Sequence, residues 1–156
     1  MSGKFGKKTG FLPFMSLMTV LCLTVAFPGC IISGISTPPD DLIMPEWHLI
    51  HYLGTDKKSV DPLPGTSITL DFDKGGKFSG SAGCNRFSGF YSVEGELITV
   101  KSLSSTEMYC SDPPGVTGQE RQFLSLLSNS TRYNINDRYL VLSYYDEERL
   151  LVFERD

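Results

Sequence analysis

The chain has 156 residues, of which 40% are hydrophobic and 21% charged, with a formal net charge of −4. That suffices for one domain and a short extra segment. Residues 1–29 hold three lysines and no acids, so the remainder carries eleven basic against eighteen acidic residues, a balance that repels a phosphate backbone and argues against nucleic acid as a partner.

The first stretch reads as a targeting segment. Lys4, Lys7 and Lys8 precede an uncharged run, 10-GFLPFMSLMTVLCLTVAFPG-29, the pattern of a secretory signal peptide over residues 1–29. The run ends in Phe27-Pro28-Gly29-Cys30. A small residue directly before a cysteine resembles the lipobox of bacterial-type lipoproteins, in which the cysteine is lipidated and becomes the new N-terminus. Phe27 and Pro28 depart from that pattern, which prefers Leu and a small residue there. Two other readings stay open. A run of about 18 apolar residues can just span a bilayer as an uncleaved anchor, or cleavage releases a secreted form. All three place residues after 30 outside the cytoplasm. The expectation is an exported protein, held on the membrane through lipidated Cys30 or through the apolar segment. Two acyl chains anchor stably where one is marginal.

Residues 30–45 read as a flexible tether, because Ser, Gly and Pro cluster there and Pro38-Pro39 forbids helix or central strand. The folded domain is expected over 46–156. It opens on 46-EWHLIHYL-53, a strand with Trp47, Leu49 and His51 on one face. In 66-TSITLDFD-73, Ile68, Leu70 and Phe72 alternate with polar residues, as in a half-buried strand. Asp73-Lys74-Gly75-Gly76 is a hairpin turn, and Phe78, Gly80 and Ala82 continue the inward face. Up to Cys84 the inward residues are even-numbered. From Phe87 they are odd: Phe87, Gly89, Tyr91 and Val93. A change of parity in a period of two requires a bulge or tight turn, placed here at Gly83, Asn85 and Arg86. A turn at Glu94-Gly95-Glu96 leads to a strand from Leu97 to Val100, and residues 101–115 read as irregular. One helix follows to about Ser128. Thr117 or Gly118 would cap it, Glu120 would complete a capping box, and Phe123, Leu124, Leu126 and Leu127 form its apolar stripe. Strands over 131–143, with a turn at Asn136-Asp137, and over 150–154 close the chain. The order predicts an α+β fold: a strongly curved antiparallel β-sheet of about six to eight strands wrapped around one α-helix.

Of the four cysteines, Cys22 lies in the apolar run and Cys30 is the lipid site. Cys84 and Cys110 remain, an even pair for an oxidising compartment. Bridged, they close a loop worth roughly 3–4 kcal/mol on the chain-entropy model. The alternative is two buried thiols.

These residues together resemble the META domain (HslJ-like) family. The likeness rests on Trp47 opening the first strand, on 83-GCNRFSGFY-91 with Gly83, Asn85, Phe87, Gly89 and Tyr91, on 106-TEMYC-110 with Thr106 and Met108, and on the helix 119-QERQFLSLL-127 with Glu120 and Phe123. It extends over about 46–156. It implies a small α+β fold of strands on one helix, in exported or envelope proteins that are often lipoproteins, and no established enzyme activity. The insertion 111-SDPPGVTG-118 departs from the pattern.

No chemistry-bearing motif stands out. The glycines lack phosphate-loop spacing and a following helix. Asp71-Phe72-Asp73 begins like a calcium loop but is followed by Gly75 and Ala82 at ligand positions. His48 and His51 lie three apart on a strand and face opposite ways. Glu94/Glu96 and Glu147/Glu148 lie in turns. Asn85 is expected to bond backbone at the bend, with contact to a partner as the alternative. No catalytic residue, metal or cofactor is expected. The reading is a non-enzymatic, membrane-tethered envelope domain with an envelope protein as partner or an envelope-stress role. The alternative is a pilot-like or lipid-binding carrier module, holding an apolar ligand between sheet and helix.

Overall fold

The computed structural model describes residues 37–145 and 148–155, so the signal segment, Cys30 and the lipobox lie outside the described residues. The elements are α1 (Asp40–Ile43), β1 (Trp47–Leu53), β2 (Ser59–Val60), β3 (Ile68–Phe72), β4 (Lys77–Ala82), β5 (Arg86–Glu94), β6 (Leu97–Ser105), α2 (Val116–Asn129), β7 (Arg132–Asn136), β8 (Tyr139–Tyr144) and β9 (Glu148–Glu154). The strands form one antiparallel sheet in the order β2-β1-β3-β4-β5-β6-β7-β8-β9, and β9 also pairs with β1, so the sheet closes on itself. Closure removes the open edges that an exposed sheet would present. At about eight strands a closed sheet has an interior just wide enough for side chains or one small ligand.

The core follows from alternation. β5 runs exposed–buried through all nine of its residues, with Phe87, Gly89, Tyr91 and Val93 inside. In β4 the buried positions are Phe78, Gly80 and Ala82. α2 packs on β4, β6 and β9, with Val116, Phe123, Leu126 and Leu127 buried. Phe123 is fully buried, its ring centroid 5.4 Å from that of Phe87 and 6.4 Å from that of Phe153. It joins β5 to β9 across the interior. The contacts continue through Phe87–Phe78 (6.2 Å), Phe78–Phe72 (6.3 Å) and Phe72–Tyr91 (4.7 Å), separations typical of edge-to-face aromatic packing. Tyr91 ends the series with its hydroxyl donating to the Asp73 carbonyl at 2.7 Å, and burial together with the nearby Asp73 charge pushes its pKa up to about 12.

The expected α+β fold with one curved antiparallel sheet is present; among the described residues the sheet has nine strands against about six to eight, because β2 has two residues, too few for an alternating pattern. Three details need correction. A second helix, α1, lies within the stretch read as tether. Pro39 is its N-cap residue, and Asp40 and Asp41 occupy its first turn, favourable at the positive end of a helix. Pro38-Pro39 therefore introduces a helix rather than forbidding one. Leu42 is fully buried and its carbonyl accepts the Trp47 indole N–H at 3.0 Å, so the packed structure starts ahead of Glu46. His51 leaves the inner face, because the register against β9 slips between Leu49 and His51, and its ring pairs with Asp61 at 2.7 Å. Finally, β6 continues to Ser105. Its second half is largely exposed, which is why 101–105 carries no apolar alternation.

A methyl group at Gly80 would collide with the Thr69 carbonyl oxygen and come within 2.8 Å of the Phe87 ring, whereas one at Gly118 on α2 would meet nothing within 4 Å. Gly80→Ala is expected to destabilise by about 3 kcal/mol through overpacking. Gly118→Ala should raise stability by roughly 0.5 kcal/mol through helix propensity. Urea unfolding of the two variants checks both signs.

Candidate functional site

The parity change of the sequence falls where expected, between β4 and β5. Gly83 takes φ +95°, a left-handed conformation that suits glycine, and a Cβ there would lie 3.3 Å from the Gln119 amide nitrogen. Asn85 does not share that conformation. It acts through its side chain, and it is only 5% exposed.

Asn85 uses every hydrogen-bonding position of its amide. Its Nδ2 donates to Glu120 Oε1 at 2.9 Å and to the Met108 carbonyl at 3.2 Å. Its Oδ1 accepts from the Thr106 hydroxyl at 2.8 Å and from the Met108 N–H at 2.7 Å. Two donors and two acceptor lone pairs are the full capacity of the group. The Asn85 backbone N–H donates to Glu120 Oε2 at 2.9 Å, so both carboxylate oxygens of Glu120, itself 7% exposed, are engaged by one residue. A buried carboxylate is tolerated when its oxygens are bonded in this way. Thr106 also accepts the Arg86 N–H at 3.3 Å, and its own N–H donates to the Arg86 carbonyl at 3.0 Å. The turn after β4, the segment after β6 and the start of α2 thus meet at one side chain.

The neighbouring bonds serve the same junction. Gln119 accepts the Leu63 N–H at 2.6 Å and donates to the Thr66 hydroxyl at 3.1 Å, while Gln122 donates to the Leu53 carbonyl at 3.1 Å. Cys84 and Cys110 form a disulfide, joining the same turn to the segment ahead of α2. Every buried side-chain nitrogen or oxygen among the described residues has a partner.

The residues singled out from sequence divide clearly. Gly83, Asn85, Thr106, Met108, Glu120, Cys84 and Cys110 come together. Trp47, Phe87, Gly89, Tyr91 and Phe123 are core. Met108 contributes through its backbone, the residue being 64% exposed and Tyr109 beside it 88%. The capping expectation is corrected: Gly115, at φ +93°, is the N-cap residue of α2 with no side-chain bond, Thr117 Oγ1 donates to the Cys110 carbonyl at 3.4 Å, and Glu120 reaches Asn85. The capping-box spacing was present, but the long-range partner won. Gln119 was missed as a junction residue; its adjacency to Glu120 was the only signal. Among the described residues no three His, Cys, Asp or Glu are grouped to hold a metal, and His48 lies 4.0 Å from Glu46 while His51 pairs with Asp61.

Replacing Asn85 by Ala leaves Glu120 buried without its donors and should cost about 3 kcal/mol or more. Asn85→Asp places a second carboxylate against Glu120. The pair's folded pKa then rises above the unfolded value, so this variant should recover stability as pH falls below about 5 and lose it as pH rises. Unfolding across pH reads both. Removing the disulfide, which spans 26 residues, should cost roughly 3–4 kcal/mol, and reductant should add two hydrogens to the intact mass.

The family model described as META domain matches residues 40–156. Comparison with curated proteins gives no match. Among solved structures, an NMR structure of a protein from Burkholderia xenovorans is 25% identical, with a TM-score of 0.61, covering 83% of this chain and 99% of that one. A second NMR structure is 21% identical, with a TM-score of 0.58, covering 77% and 96%. A crystal structure of a DUF4847 family protein from Bacteroides vulgatus is 17% identical, with a TM-score of 0.52, covering 75% and 96%. The last two speak to the fold alone.

Proposed function

We propose that this chain, which belongs to the META domain family, is an exported, membrane-tethered and non-enzymatic domain of the cell envelope that works by contacting another envelope protein. The observation that carries this reading is the use made of Asn85. Its polar groups are saturated by Glu120, Thr106 and Met108, so they hold structure and have no capacity left for a substrate. The same bonds fix the Met108 backbone and leave Met108 and Tyr109 facing solvent. An exposed aromatic beside a methionine on a fixed backbone suits a protein contact, because little conformational entropy is lost on docking. A disulfide fits an oxidising, extracytoplasmic compartment.

Position adds to this. Lys74, in the turn between β3 and β4, pairs with Asp40 of α1 at 3.3 Å, so the chain enters the fold at that turn. Asn85 lies at the other end of β4, a strand of six residues or about 20 Å. A tether entering beside Lys74 would leave Met108 and Tyr109 pointing away from the anchor. The carrier alternative draws no support from the interior, where Phe87, Phe123 and Phe153 occupy the space between α2 and the sheet.

A photo-crosslinking residue at Tyr109, in the full chain within intact cells, should give a discrete protein adduct. The same residue at Glu94, at the opposite end of β5, should not. Identical adducts from both positions, or none from Tyr109, would overturn the contact. Cys30→Ser should abolish acylation, read by the intact mass of the membrane-extracted protein, while leaving the chain outside the cytoplasm; a cytoplasmic pool of the parent would overturn the export reading.

A further inference from the structure

The outer face of β3–β6, on the side of the sheet away from the core, carries a second arrangement that the Asn85 junction does not use. Cross-strand register places Asp71 opposite Ser79, Ser79 opposite Ser88, and Ser88 opposite Ser104, one continuous transverse row over four strands. The adjacent row is Lys77, Phe90 and Lys101. Phe90 is 50% exposed, an aromatic ring in register between two cations. The serine row, Lys77 and Phe90 border a groove of about 400 Å³ that Asp71 and Asp73 also line, and Lys101 stands beside it in register with Phe90.

The groove has a local cause. Between the pairs Ser88–Ser104 and Phe90–Lys101, one residue of β5 faces two of β6, a bulge. Ser102 within it takes φ +51°, a left-handed conformation for a non-glycine residue. Gly89, the single residue opposite, has no room for a side chain: a Cβ would strike the Phe78 ring and lie 3.0 Å from the Lys101 carbonyl oxygen. Strained backbone of this kind concentrates at ligand sites.

Charge separates this face from the rest of an acidic domain. Lys57, Lys58, Lys74, Arg132, Arg138 and Arg155 each lie within 4.0 Å of a carboxylate. Lys77, Arg86 and Lys101 lie that close to none among the described residues, as do Arg121 on α2 and Arg149 on β9. Of these five described cations, Lys77 and Lys101 flank Phe90 in register on the outer face of β4–β6, and Arg86 heads β5 four residues away. Asp71 and Asp73, both on the groove, are the counterweight, Asp73 accepting the Lys77 backbone N–H at 2.8 Å. The Asp71 carboxyl is held above the usual range by burial and by Glu46, with His48 and Arg86 opposing.

We propose that this groove binds an acidic oligosaccharide, a glycan carrying carboxylates. The Phe90 face takes the C–H face of a sugar ring. Lys77 and Lys101 pair with carboxylates on either side of it. Ser79, Ser88 and Ser104 exchange hydrogen bonds with ring hydroxyls, and Asp71 accepts from a hydroxyl while excluding a carboxylate from that end. A bare polyanion would use the lysines but have no need of the ring or the serine row.

Calorimetry on the full chain in detergent tests this with three probes: tetragalacturonate, neutral maltotetraose, and inorganic polyphosphate of matching charge. Tetragalacturonate should bind at least about tenfold more tightly than maltotetraose and weaken as salt is raised. Phe90→Ala, and Lys77→Ala with Lys101→Ala, should each weaken it by about tenfold or more. Lys57→Ala with Lys58→Ala, in the turn between β1 and β2, should leave it unchanged. All of these side chains are exposed, so an unchanged circular dichroism spectrum and disulfide content certify the fold. No heat with tetragalacturonate would overturn the proposal. So would binding indifferent to Phe90→Ala, or polyphosphate binding as well as the glycan, either of which marks a simple anion patch. The Tyr109 crosslink lies at the end of the barrel and is read separately, so either result can fail without the other.

Discussion

One carboxamide organises this fold. A turn, the end of a strand and the start of a helix, separated by up to 35 residues along the chain, converge on Asn85. The amide presents two donors and two acceptors in one plane, and each is met by a group from one of those segments. Such a junction is directional in a way that apolar packing is not. Phe87 and Phe123 would tolerate some sliding of α2 along the sheet, whereas a displacement of about 1 Å would break bonds to Glu120 and Met108 together. Under low local dielectric an unpaired Glu120 would be expensive, and that cost enforces the register. The disulfide acts on the same segments differently, by limiting the unfolded ensemble rather than by directing the folded one.

Much of this architecture was legible, and particular residues explain why. The even-to-odd switch around Cys84 could be read because β4 and β5 each have one buried and one solvated face, so a single extra residue changes the parity of everything after it. Trp47, Phe72, Phe87, Tyr91 and Phe153 announced the core by size and alternation. The Cys84–Cys110 pair was expected from the cysteine count and an expected oxidising compartment, with two buried thiols as the alternative. What stayed hidden depended on long-range partners. Glu120 stands three residues after Thr117, a spacing that local rules read as a capping box, yet its carboxylate finds Asn85, 35 positions away. Local propensity and tertiary demand pointed to different roles for one side chain, and the tertiary one prevailed.

The remaining surprises share a cause as well. α1 has four residues, and isolated helices of that length do not form unaided. It exists because Leu42 is buried and the Trp47 indole bonds its carbonyl. Neither fact has a periodic signature. β6 beyond Val100 has little apolar face to display, since its outer half lies along a solvated groove, and β2 is a two-residue pairing on β1. Periodicity reports burial, so elements that bury little are invisible to it however well their backbones are paired.

The same alternation that fills the interior also writes the exterior. Each residue that β4 and β5 place inside is followed by one placed outside, so fixing the register of Phe78 against Gly89 fixes that of Ser79 against Ser88. A junction that sets strand register to within one residue therefore sets the outer rows too, although Asn85 touches none of them. The bulge at Ser102 is the exception that reveals this: it lets β6 shift by one residue relative to β5 and still return Ser104 to the serine row and Lys101 to the row of Phe90. Architecture and surface chemistry are linked here by the pleat itself, with the inner face supplying the energy and the outer face free to vary in composition.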